Sequence, residues 1–102
     1  MTVRRADTEI VGEFSSRVLA VNLIVYSDCV ERELVVDGRV RRDVVQLRDV
    51  QELKLEPLTS ELVNLVIRGP GGRRIQMEMM DRTSAKRARD LLERLTASNG
   101  LG

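Results

Sequence analysis

The chemistry-bearing residues of this chain are above all arginines: Arg41-Arg42 stands shortly after Asp37-Gly38, and Arg73-Arg74 follows Gly69-Pro70-Gly71-Gly72 directly. A guanidinium is permanently charged and presents a planar fork of donors suited to phosphate or carboxylate. Glycines ahead of two arginines have the ingredients of an anion loop, but a phosphate cradle needs those glycines to open a helix. A strand-like run follows instead, so the plain reading is a hairpin turn with a basic base. Arg39, Arg41 and Arg42 lie beside Asp37 and Asp43, which gives them a mixed local field.

Catalysis has little to work with. The chain has no histidine, which removes the commonest general base, the Ser-His and Cys-His pairings and most zinc sites. Cys29 is the single cysteine, and the neighbouring acids Asp28 and Glu31 disfavour a thiolate there. It reads as a small strand residue. Asp28, Glu31 and Glu33 cluster without the regular oxygen spacing and glycine turn of a calcium loop. We therefore expect no enzyme activity, no metal and no cofactor.

Charge narrows the partners. Seventeen basic residues against sixteen acidic ones leave a formal charge of +1, far from the basic excess usual for phosphate-neutralising proteins. Arg82, Lys86, Arg87 and Arg89 form the densest basic stretch, but Asp90 and Glu93 stand within pairing distance along the same helix. With only two aromatic residues, Phe14 and Tyr26, base stacking is hardly provided for, and nucleic acid is not an expected partner. One cysteine allows no intrachain disulfide, which points to a reducing cytoplasm. The opening residues do not resemble a signal peptide, and the longest apolar run, 18–26, is too short for a membrane helix.

The elements that must position these residues are mostly strands. At 102 residues the chain has the size of one domain, and 42% apolar residues suffice for one core. Residues 1–8 show no apolar period and read as a loose arm. Residues 9–14 read as a short strand ending at Ser15-Ser16. Residues 18–26 read as a strand apolar on both faces: Leu19, Val21, Leu23 and Val25 on one, Val18, Ala20, Ile24 and Tyr26 on the other. Such a strand is central or covered by a neighbouring subunit. Runs 28–36 and 39–47 flank Asp37-Gly38, a strong hairpin signal because both central residues of that turn need positive φ.

Residues 50–56 alternate with Leu53 and Leu55 on one side, and Pro57 closes the run. Residues 61–68 put Val63, Leu65 and Ile67 on one face. Residues 73–80 return with Ile75, Met77 and Met79 inward and Met80 opposite, exposed for interaction if the strand is regular. The period then changes. Asp81 suits an N-cap, and Ala85, Ala88, Leu91, Leu92 and Leu95 form the apolar stripe of a helix over 82–97. Asn99-Gly100 reads as its stop, with 98–102 as a tail. The spacing thus predicts a mainly β, β-rich α+β domain over 9–97: about seven antiparallel strands joined as a meander, with one C-terminal helix packed on the open side of the sheet.

This order of elements, together with Val44-Val45-Gln46-Leu47-Arg48-Asp49-Val50 before the next strand, resembles the pleckstrin-homology-like domains, in particular their short bacterial versions. The aromatic residue usual in the terminal helix of eukaryotic members is missing here. The resemblance implies that the seven strands make a partly open barrel or two roughly orthogonal sheets, capped by the one C-terminal helix plugging one end, and a binding rather than a catalytic role. It also implies that a basic hairpin loop such as Arg73-Arg74 is a place where lipid-binding relatives hold head groups.

Two functions are expected from these readings. The first is a binding or scaffolding module that presents a sheet edge, a strand face or the loops around Gly38 and Gly71 to a protein partner. Self-association through Val18, Ala20, Ile24, Tyr26 and Met80 would go with it. The alternative is a module for an anionic membrane surface or ligand, held by Arg41, Arg42, Arg73 and Arg74.

Overall fold

Alternating apolar residues give seven strands, and the computed structural model, which describes residues 9–100, arranges them as two antiparallel sheets. The first holds β1 (Ile10–Ser15), β2 (Val21–Tyr26), β3 (Cys29–Val36) and β4 (Arg39–Gln46) in chain order. The second holds β5 (Glu52–Pro57), β6 (Leu62–Arg68) and β7 (Arg74–Asp81), also in chain order. Every strand pairs with its sequence neighbour within its sheet, so each sheet is a meander. The sheets do not close into a barrel. A 3-10 turn, Leu47–Asp49, carries the chain from one sheet to the other. The final helix, α1 (Arg82–Gly100), follows β7 without a loop, and the amide of Arg82 donates to Glu61 O.

The core lies between the two sheets and under the helix. Val21, Leu23 and Val25 of β2 meet Leu65 and Ile67 of β6 and Ile75 and Met77 of β7, and Ala85, Ala88 and Leu92 close it from α1. Two alanines on the buried stripe let the helix approach closely. Gly12 adds to this, since a Cβ there would stand 2.9 Å from Leu91 Cδ2 and 3.2 Å from Phe14 Cε2. It sits where a bulge shifts the β1–β2 register between Ile10 and Gly12. No described helix is long and apolar enough to cross a membrane.

Several expectations need correction. Strand β2 begins at Val21, because residues 17–20 bend away after Ser16, whose hydroxyl accepts from the amides of Val18 and Leu19. Val18 and Ala20 therefore belong to an exposed loop rather than to a strand face. Ile24 and Tyr26 do lie on the second face of β2, but they are fully buried within the chain, with Cys29, Ile10 and Val44 around them. They offer no surface to a partner.

Met80 is likewise buried, and Met79 is the residue displaced from the core. A bulge in β7 explains the exchange: Val63 pairs with Met80 and Leu65 with Met77, so two residues of β7 oppose Asn64. Met79 takes φ 54°, and its amide donates to Asn64 Oδ1 at 3.0 Å. That extra residue reverses the alternation on which the sequence reading relied.

The ends of elements shift as well. Pro57 pairs with Val63 as the last residue of β5, and Asp81 pairs with Leu62 as the last residue of β7. The helix continues three residues past Ala97, and the Asn99 side chain donates to Leu95 O at 2.7 Å and to Ser27 O at 3.0 Å. Asn99 thus ties the helix end to the β2–β3 turn instead of opening a tail. The expected arm at 1–8 and residues 101–102 lie outside the described residues.

Candidate functional site

The β3–β4 hairpin is built by a two-residue turn in which Asp37 has φ 49° and Gly38 φ 74°. Both central residues are left-handed, as a type I′ turn requires, and that turn sets the register of the whole hairpin. Val36 faces Arg39, Val35 faces Val40, Leu34 faces Arg41, and the pairing runs on to Cys29 and Gln46.

Alternation then places Val30, Arg32, Leu34 and Val36 of β3 on the side of the sheet that faces the core, with Val45, Asp43, Arg41 and Arg39 of β4 beside them. Along this side cover is lost step by step. Val30 and Val45 are buried, the Arg32 side chain is 16% exposed, Leu34 is half-buried and Val36 is 52% exposed. The change comes where β7 crosses the hairpin. Arg32 Nε donates to Gln76 O at 2.8 Å, and its Nη2 meets Glu78 Oε1 at 3.0 Å. Asp43 Oδ2 stands 3.9 Å from Arg32 Nη1. Arg32 thus ties β3 to β7 near the edge of the covered face, and the half-buried Leu34 still packs against the main core.

Beyond Leu34 the hairpin overhangs. Its open side forms a groove of about 750 Å³ lined by Leu34, Val36, Asp37, Arg39, Val40 and Arg41. The β1–β2 loop stands against β3 at this end, because Val35 N–H donates to Ala20 O at 3.1 Å. Val18, Leu19, Val35, Val36 and Val40 are all exposed large aliphatics, so most of the exposed large apolar side chains among the described residues gather at this one end. Exposure of this kind marks interaction surfaces. Arg39 and Arg41 have no acidic partner among the described residues, whereas Arg42, on the other side of the strand, meets Glu33 Oε2 at 3.2 Å.

The other expected basic residues are committed within the fold. Arg73 Nη1 donates to Val44 O at 2.9 Å and bridges the two sheets. Arg74 Nη2 donates to Gln76 Oε1 at 2.6 Å. Arg42, Arg73 and Arg74 line one open cavity of about 370 Å³, but Arg41 belongs to the hairpin groove instead. The four arginines proposed as one anion site therefore divide between two places. The turn before them is a 3-10 turn, with Gly71 at φ 65° and Gly72 at φ 75°. It leads into β7 and no helix dipole converges on it.

Cys29 is buried and outside any disulfide, and among the described residues no group of three His, Cys, Asp or Glu is placed to hold a metal. The reading of residue types missed Arg32 as the latch between the sheets, and Val36 and Val40 as groove lining. A signal for the valines was present: Val35-Val36 ahead of Asp37-Gly38 is apolar on both faces at a hairpin tip, where an isolated hairpin would be polar. No family model matches this chain, and no curated protein or solved structure matches it either.

Proposed function

We propose that this chain is a non-enzymatic protein-binding module of pleckstrin-homology-like architecture, and that it docks its partner on the overhanging end of the β3–β4 hairpin. The architecture is supported by the meander of four strands, the meander of three and the helix closing the core. The docking site rests on one observation: past the latch at Arg32 the core-facing side of the hairpin runs on through the half-buried Leu34 to Val36, which is 52% exposed. Aliphatic side chains in that position gain by burial against a partner, at about 25 cal/mol for each Å² removed from water.

The anionic-surface alternative has less to stand on, because Arg42, Arg73 and Arg74 are each engaged by protein groups. The earlier ground for self-association has also gone, since the second face of β2 is covered inside the chain.

Site-specific photo-crosslinking in lysate of the native host tests the reading. A benzophenone amino acid at Val36 is expected to give a discrete adduct, and one at the exposed Glu52 is not. Excess unlabelled chain should compete the adduct away, while an equally folded Val36→Asp chain should not. An adduct that both chains compete equally, or no adduct at Val36, overturns the assignment of the docking site.

A further inference from the structure

Among the described residues strand β4 is an edge strand, paired only with β3, and the hairpin turn dictates which of its backbone groups point away from that neighbour. Val36 and Arg39 flank a two-residue turn and so form its closing hydrogen-bonded pair. Alternation from there turns the outward N–H and C=O groups to Val40, Arg42 and Val44. The bond from Arg73 to Val44 O agrees with this parity, since only an outward carbonyl is within its reach. That same bond plugs the edge at Val44. Towards the turn, the N–H and C=O of Val40 face outward beside the groove.

From this geometry we infer that the partner is an extended segment with alternating acidic and aliphatic residues, added as an antiparallel strand to β4 near Val40. The inference rests on the docking site proposed above and adds the chemistry of its occupant. A strand laid beside β4 alternates its side chains between the two faces of the sheet. On the groove side its residues fall next to Arg39 and Arg41, the exposed arginines with no acid paired to them among the described residues. Carboxylates belong there. On the other face of the strand they fall next to Val40, which reaches the groove at its edge and faces Val35, both exposed, and an aliphatic residue belongs there.

A second copy of this chain fits the same edge badly. Antiparallel pairing of two β4 strands centred on Val40 sets Arg39 of each copy opposite Arg41 of the other, and like charges opposite one another oppose pairing. The usable edge ends at the Arg73 plug, so the recognised segment is short. From Arg39 to Arg42 a strand rises about 10 Å, and a core of about four residues spans it.

The test uses the full chain and fluorescein-labelled, end-capped peptides of about eight residues, enough to overreach that span. One alternates glutamate with valine, and its counterpart alternates lysine with valine. Fluorescence anisotropy at low salt should show the glutamate peptide binding at least about tenfold more tightly, the scale expected from two cross-strand charge pairs. In an Arg39→Glu/Arg41→Glu chain, shown by circular dichroism to keep its fold, the preference should invert. N-methylation of alternate peptide amides should abolish binding, and the amide resonance of Val40 should move on titration with the unmodified peptide.

Equal binding of both peptides, an unchanged preference in the charge-reversed chain, or no binding of either overturns the inference. So does binding to phosphatidylserine vesicles that the glutamate peptide fails to displace, or self-association by sedimentation that survives charge reversal. These failures remain distinct from failure of the docking site itself: an adduct at Val36 that Val36→Asp cannot compete away would stand even if no strand-forming acidic peptide bound.

Discussion

Arg32 shows how much one side chain does at the border between core and solvent. Its guanidinium fork reaches a backbone carbonyl and a carboxylate on β7 at once, with Asp43 close by on β4. A lysine at this position has one ammonium on a flexible stem and cannot serve both acceptors in the same geometry. Arg32→Lys should therefore destabilise the chain by about 1–2 kcal/mol, from one hydrogen bond to a charged group lost or lengthened. Urea denaturation followed by circular dichroism would measure it, and an unchanged midpoint would show that Arg32 is not a latch. The residue types alone marked Arg41, Arg42, Arg73 and Arg74, but not this one. Its partners lie 44 and 46 residues further on, and no spacing rule connects them.

At the scale of elements, the helix and the bulged β1 are matched at a single contact. Gly12 leaves room for Leu91, and a methyl group there would have to displace the Leu91 side chain or the Phe14 ring. Gly12→Ala should cost about 1–3 kcal/mol as overpacking. In a Leu91→Ala background most of that cost should vanish, because the clash is gone and the two changes are coupled. Additive losses in that double-mutant cycle would place the strain elsewhere. The helix was legible as an element: Ala85, Ala88 and Leu92 keep a 3.6-residue period and are all buried. Its surface pairing was less so. Arg89 lies 3.8 Å from Glu93 and 3.4 Å from its neighbour Asp90, the latter a contact that i,i+4 spacing does not anticipate.

For the whole molecule, the two sheets and the helix share one core, while Tyr26 belongs to a second cluster with Ile24 and Cys29 on the other face of β2. Strand β2 carries both, so the two clusters should unfold together. Tyr26 is the only tyrosine and there is no tryptophan, which makes its fluorescence a clean probe of the second cluster. In urea its transition should coincide with that of far-ultraviolet circular dichroism. A Tyr26 transition at lower urea would mean that the second cluster opens as a separate unit.

The sequence by itself determined the strand count, the chain order of strands and helix, the left-handed turn at Asp37-Gly38 and the buried stripe of the last helix. Each is written in a local period or a local φ requirement, and neighbouring residues suffice to impose it. Only the tertiary structure decided that Ile24 and Tyr26 are covered within the chain, and that Arg42, Arg73 and Arg74 are engaged while Arg39 and Arg41 have no acidic partner among the described residues. One bulged residue at Met79 was enough to exchange Met79 for Met80 in the core. Where β7 crosses the β3–β4 hairpin sets the border between buried and open sheet, and that crossing joins residues more than forty positions apart. Val36 has the same residue type and the same alternation as Val30, and only the position of the second sheet makes one core and the other surface.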